Sequence, residues 1–449
     1  MKSFASYIFC LVGIFFCVPL HSQTKDDTKI WNLEDCFQYA AKHNLDINTL
    51  KLNEQSSVQD LSAAKGSKIP SLSASANNIF NNSKNNASGS GDYTRQLSSS
   101  GTYWVNSSLV LWNGNYINNN IHQKDLLTKS ANLSIAQSTN NSILQITQSY
   151  LTVLLAKENL KYVTDLVATT EALVKKSQLL YDAGSIARTN LLQLQAQLSS
   201  DNYLKVQSEN TIRQNILALK QLLQLPSETV FDIVTPTSLE IVNLVPELKM
   251  VQQNAADNFP NVKIGMMGLD IASLGIEKAK AGFKPTLAAN AAIGTGYYDI
   301  LSNNTLPSTP YLNQTSNNFY QSLGFNLAIP IFSNRINRTN LEKAKIGYSQ
   351  ANITLDNDKL MLSQEVEQAY LNTTNAQQAY AAANEQLNAV TEIYRIGNAQ
   401  FKLGGIDSFT LLQQRNQYIQ AVQAFTQAKY TAILQQKIYE FYNGIKITF

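Results

Sequence analysis

Histidine, cysteine and clustered carboxylates hold metals and move protons, and this chain uses them sparingly. It has three histidines, and His21 lies in an N-terminal apolar segment. The two that remain, His43 and His122, have no metal-ligand spacing around them. Cys10 and Cys17 sit in the same apolar segment, which leaves Cys36 alone and unable to form an intrachain disulfide. The Gly-Thr-Gly at 294–296 falls inside a strand pattern and does not match a phosphate loop, and no serine has a nucleophile elbow around it. The five methionines do not cluster, so nothing suggests a soft-metal route. No catalytic residue, cofactor or metal is therefore expected.

What the chain has in quantity is neutral polar surface. Charged residues make up 15% of its 449 residues, with a net charge of +3. Soluble domains typically carry about 25%. Ser, Thr, Asn and Gln fill the difference, which gives a wet but weakly charged surface, and the net charge implies neither a nucleic-acid partner nor an anionic membrane surface. Residues 1–22 read as an export signal, with Lys2 ahead of an apolar run from Tyr7 to Val18. Neither early cysteine has the context of a lipid attachment site, and no later segment has the apolar run of about 20 residues that a membrane helix needs. Any membrane passage of the exported protein must then use strands.

The elements repeat. Leu362, Val366, Ala369, Thr373, Ala376, Tyr380, Ala383, Leu387, Val390, Tyr394, Gly397 and Phe401 form a heptad seam. The same register returns 220 residues earlier, from Ile146 to Tyr181. Each seam is followed by a glycine, Gly184 or Gly404, and then by a leucine pair, 191–192 or 411–412. All ten prolines fall outside 71–225 and 331–449, and a proline inside a helix would cost about 3 kcal/mol. Each seam is thus expected on a long helical hairpin. Ahead of the hairpins, short helices run into Pro70 and Pro285, where the period changes to two. Strands of about 10–12 residues, the length of a tilted membrane strand, are expected on both sides of polar loops at 81–92 and 302–318. Trp104, Trp112, Tyr297, Tyr298, Phe319 and Tyr320 are placed to form aromatic girdles.

The resulting division is a signal at 1–22, a first repeat at 23–225, a linker at 226–246 and a second repeat at 247–449. The membrane strands lie at about 70–112 and 285–331, and the hairpins at about 115–225 and 334–443. Four strands cannot close a barrel, and open edges in lipid leave backbone groups unsatisfied. Two chains would give a filled eight-stranded barrel, whereas three or more leave a passage. The fold class is α+β: a membrane β-barrel shared between protomers, plus a long antiparallel coiled-coil α-barrel, with two-fold internal repetition. A secreted coiled-coil adhesin or pore-forming protein would share the heptads but would not need strand pairs placed alike in both copies. A non-conducting outer-membrane scaffold would share the barrel but carry no current.

The ordered set of features resembles the TolC-type outer-membrane factors over essentially the whole mature length. It comprises the repeat, the Pro70 and Pro285 junctions, the LWNGN and IFSNR strand-to-helix turns, and the tips YDAGSIARTNLL and FKLGGIDSFTLL. The resemblance implies a homotrimer in the outer membrane of a Gram-negative cell, with a periplasmic helical tunnel and no catalysis. It implies an exit duct for efflux or type I secretion, fed by an inner-membrane transporter (RND, ABC or MFS type) through a periplasmic adaptor. Adaptor docking and the aperture would fall at the tips, on Tyr181, Gly184, Arg188, Thr189, Asn190, Phe401, Gly404, Asp407, Thr410 and Gln413. Gated members carry acids six and nine positions after the second tip glycine, where this chain has the neutral Thr410 and Gln413. An acid is also common at the place of Asn190. Arg188 and Asp407 are the nearest charges, and they are expected either to latch the aperture or to be plain solvated tip charges.

Overall fold

The computed structural model describes residues 30–86, 93–236, 241, 245–302 and 309–448. The export signal, the centres of the two polar loops, part of the linker and Phe449 lie outside them. The chain starts with a short strand, β1 (Ile30–Trp31), and two helices, α1 (Leu33–His43) and α2 (Leu45–Gly66). Two long strands, β2 (Ser71–Asn86) and β3 (Tyr93–Trp112), lead to the first hairpin, α3 (Tyr116–Asp182) and α4 (Arg188–Leu222). After β4 (Asp232–Ile233) the order repeats with α5 (Leu248–Asn258), α6 (Pro260–Ala281) and β5 (Thr286–Ile300). A short α7 (Tyr311–Asn317), β6 (Tyr320–Ala328), α8 (Ile336–Lys402) and α9 (Ser408–Tyr442) complete the chain.

In the helices the repeat holds to the residue. α1 and α5 each have 11 residues, and α2 and α6 each have 22. α3 and α8 each have 67, and α4 and α9 each have 35. At 1.5 Å per residue the two 67-residue helices run to about 100 Å. The helix starts are built from local chemistry. Asn32 makes a reciprocal capping box with Asp35, Asn44 caps α2 through the Asp46 and Ile47 amides, and Pro260 opens α6. Every predicted seam position in α8 is buried or half-buried, and so is every one in α3 except Tyr181, which is 36% exposed.

Two cores anchor the hairpins at mid-height. Leu33, Cys36 and Ala40 of α1 pack with Ile146, Tyr150 and Leu154 of α3, and with Tyr430 and Ile433 of α9. Val251, Ala255 and Val262 pack against Leu355, Leu362 and Val366 of α8. The linker straps across the first core. β1 pairs parallel with β4, the Tyr150 hydroxyl donates to the Val234 carbonyl at 2.7 Å, and Lys157 reaches Asp232 at 2.6 Å. Burial pushes the Cys36 thiol up to about 12, so this cysteine is packing and not a reactive thiol.

The four long strands form one antiparallel sheet in the order β2-β3-β5-β6, so the β3–β5 pair joins the two repeats. Register places paired residues on one face. Leu72, Ala74, Val105, Leu109, Leu287, Ala289, Ile293, Leu323, Phe325 and Leu327 line one side. Ser73, Ser75, Asn77, Thr102, Asn106, Asn290, Ser322 and Asn326 line the other. On the apolar side Leu72, Leu323 and Phe325 are 76%, 72% and 69% exposed, so this face is uncovered in the single chain.

Three expectations change. β2 and β3 have 16 and 20 residues, longer than the 10–12 anticipated, because the hairpin ladder continues through Asn81–Asn86, assigned above to a loop. Backbone pairing does not need apolar side chains, so polar residues extend it beyond the apolar band. The second loop contains α7, fastened to β5 by bonds from the Tyr298 amide to Gln314 and from Asn318 to the Gly296 carbonyl. Of the six girdle aromatics, Phe319 precedes β6 and the five within strands divide. Trp112 and Tyr297 share the apolar face, while Trp104, Tyr298 and Tyr320 lie on the opposite one. Trp112 crosses over because the register shifts between Val110 and Trp112, a one-residue bulge that reverses the alternation.

Candidate hairpin-tip site and channel wall

The two tips are built alike. Gly184 takes φ 72° and Gly404 takes φ 76°. In each, the glycine amide bonds back three residues and the next amide bonds back five, as in Gly184 to Tyr181 and Ser185 to Leu180, and in Gly404 to Phe401 and Gly405 to Gln400. This is the Schellman closure that left-handed glycine allows. Tyr181 and Phe401 thus act first as carbonyl acceptors in the caps.

The helices that leave the tips differ. α9 is capped by Asp407, whose carboxylate accepts from the Thr410 amide at 2.9 Å. Hydrogen bonds from Thr410 hold that carboxyl below its usual range. α4 begins after Ala187 with no side-chain cap, and Arg188 and Thr189 are exposed. Arg188 and Asp407 form no ion pair within the protomer. Asn190 and Thr410 are half-buried and Gln413 is exposed. Between α4 and α9 the tip opens into a cleft of about 620 Å³ lined by Gln193, Gln197, Phe409, Leu412, Gln413, Asn416 and Gln417. The Ser408 hydroxyl meets Gln193 at 3.1 Å across its floor. Of the ten candidates, Gln413 alone lines this cleft. Its amides offer donors and acceptors without charge, which suits water or a polar protein surface.

Sequence reasoning missed a fully buried ion pair that joins the two hairpins. Arg415 on α9 and Asp201 on α4 are both 0% exposed and form an ion pair. Thr170 of α3, also 0% exposed, accepts from Arg415 at 2.9 Å and donates to Asp201 at 2.6 Å. Gln197 holds the second Asp201 oxygen at 2.8 Å. The cluster ties the second hairpin to both helices of the first. The signal was present in the sequence: Asp201 continues the inward Leu191–Leu194–Leu198 stripe, and Arg415 follows Leu411 on the buried face of α9. A comparison of repeats hides both, because their counterparts are Ala421 and Gln195.

Nearby, Tyr418 stacks on Tyr394 at 5.3 Å and meets the edge of Tyr162 at 6.2 Å. Burial pushes the Tyr162 and Tyr418 hydroxyls up. Gly397 lies against the Gln414 side chain, with no free space for a Cβ. It sits in unbroken helix, so its role here is close packing and not a hinge.

Residues 251–437, from α5 into α9, match the family of outer membrane efflux proteins. The matched segment lies within the second repeat. The first repeat carries four helices of the same lengths in the same order. No curated protein matches the chain by sequence. Among solved structures, a membrane protein from Pseudomonas aeruginosa superposes with TM-score 0.77 at 14% identity, covering 92% of this chain and 89% of that one. The outer membrane channel CmeC of Campylobacter jejuni gives 0.74 at 17%, covering 92% and 86%. The outer membrane protein VceC of Vibrio cholerae gives 0.74 at 13%, covering 92% and 96%. At these identities the likeness is one of fold, and its coverage of 92% of this chain takes in both repeats.

Proposed function

We propose that this chain is the outer-membrane exit duct of a tripartite efflux or type I secretion system, acting as a homotrimer. The observation that carries this reading is the sheet. It has one largely apolar face, one face of Ser, Thr and Asn interrupted by Trp104, Tyr298 and Tyr320, and two unpaired edges, and its strands run directly into 67-residue helices. In lipid an open edge is not viable, because each unpaired backbone group costs several kcal/mol. Joining β2 of one copy to β6 of the next closes the edges, and three copies give twelve strands around a polar lumen. The hairpins continue that lumen as a helical tube with amide- and hydroxyl-rich walls.

A family match to efflux proteins and a fold shared with outer membrane channels support the reading. Family and fold are those of channel proteins, and among the described residues no group of His, Cys, Asp and Glu is placed to hold a metal ion. The periplasmic adaptor docks on the tips around Gly184 and Gly404, and an inner-membrane transporter supplies the cargo. Two measurements test this together: native mass in mild detergent and single-channel current in planar bilayers. A trimer from the outer-membrane fraction that conducts is the expected result. A soluble monomer, or a trimer without current, overturns the duct.

A further inference from the structure

The helix-to-strand junctions carry a pattern that the channel role does not use. Register brings the four strand ends Ser71, Trp112, Thr286 and Ala328 to one edge of the sheet, where the helices begin. The junctions are also in contact. Gly114 packs against Lys284 and Ala281, and Asn337 donates to the Gly282 carbonyl. Across 61–72, 108–121, 279–290 and 328–341 there is no Asp or Glu. The same segments hold Lys65, Lys68, Lys284, Arg335 and Arg338, all exposed and without a carboxylate partner. Lys280, the sixth cation there, is paired with Glu277.

Exposed apolar side chains are interleaved with these cations. Ile69 is 68% exposed, Phe283 48%, Ile331 94% and Phe332 82%. One position is held at a conformational cost. Arg335 takes φ 66°, a left-handed conformation that glycine and asparagine accept far more readily, and its counterpart in the first repeat is Asn115. Long cationic side chains beside apolar anchors, at the end of an apolar strand band, match a bilayer's phosphate level: stems lie along acyl chains and heads reach phosphate. We propose that this collar binds the headgroups of anionic phospholipids in the leaflet on the helical side, fixing the depth and tilt of the duct. The proposal rests on the outer-membrane reading and adds a ligand class to it.

The test uses the full-length protein reconstituted in phosphatidylcholine vesicles carrying a trace of spin-labelled phosphatidylglycerol or spin-labelled phosphatidylcholine. The expected result is a several-fold higher association of phosphatidylglycerol, falling toward parity as salt screens the charges. The variant K65Q/K68Q/K284Q/R335Q/R338Q should show parity, and K175Q/K176Q/K205Q/R213Q/K402Q, on the hairpins, should keep the preference. Equal association in the wild type overturns the collar, as does a preference that salt leaves intact or that the collar variant retains. Flotation with neutral vesicles tests the membrane reading separately. Protein that floats without headgroup preference overturns the collar alone, and protein that does not float overturns both.

Discussion

The two repeats share a backbone and differ in chemistry at the points that matter for assembly. Their helices match in length, yet Asp201 of the first faces Arg415 of the second, and neither charge has a counterpart at the equivalent position in the other copy. The tips differ in the same way: Asp407 caps α9, while Ala187 leaves α4 uncapped. Helix length and seam register follow from a period that duplication copies whole. Contacts between copies need complementary residues, and two identical surfaces supply like with like. Asymmetry is what allows one hairpin to recognise the other.

The largest effect is expected where that asymmetry is buried. Arg415→Met or Asp201→Ala leaves a charge without a partner in a dry interface and should cost about 3–5 kcal/mol. The pair of changes Asp201→Leu and Arg415→Met should recover most of it, because well-packed apolar residues replace a buried ion pair at little cost. Thermal unfolding in detergent reads both. Gln195→Met, at the exposed position that mirrors Arg415, should change little; a loss there as large as at Arg415 would mean that the site is ordinary packing.

Next is the close approach at Gly397. Gly397→Leu should cost about 1–3 kcal/mol by overpacking against Gln414. Its counterpart Ser177 is buried with no partner for its hydroxyl, so Ser177→Ala should leave the melting temperature unchanged or slightly raised. The tip glycines should respond equally, with Gly184→Ala and Gly404→Ala each losing about 1–2 kcal/mol to left-handed strain. Unequal losses there would mean that the tips make different contacts in the assembled protein.

The smallest effects are expected at the tip charges. Asp407 has a lowered carboxyl pKa, so its contribution to α9 is complete above the unfolded value of about 3.8 and is lost as pH falls through the lower folded value. Ala187→Asp should add the missing cap to the first hairpin and raise the melting temperature at neutral pH, with no gain once the new carboxyl is protonated. Single-channel conductance decides whether the same charges latch the aperture between chains. Asp407→Asn and Arg188→Ala should each raise the open fraction, and unchanged currents in both would leave Asp407 as a cap only.

Much of this architecture could be read from the residues because its signals are periodic and local. Heptads, proline exclusion and glycine placement state helix, boundary and tip within one stretch of chain, and the structure buries the predicted seams. The loop at 302–318 misled because α7 is held by bonds to Gly296 and Tyr298 of β5, which no local pattern announces. The girdle misled because strand register places Trp104, Tyr298 and Tyr320 on the face opposite Tyr297, while one bulge near Leu111 moves Trp112 across. Asp201 and Arg415 looked like two more charges among many neutral residues until packing removed water from both.

The sequence by itself determined the repeat, the helix lengths, the helix-to-strand junctions and the apolar and polar faces of the strands. Each depends on spacing along one segment and on the fixed geometry of the backbone. Only the tertiary structure decided which hairpin holds which, where the linker straps the bundle, and which five cations gather at one end of the sheet. Those outcomes depend on residues far apart in the chain meeting where water is excluded, or where it ends, and one-dimensional spacing carries no record of that.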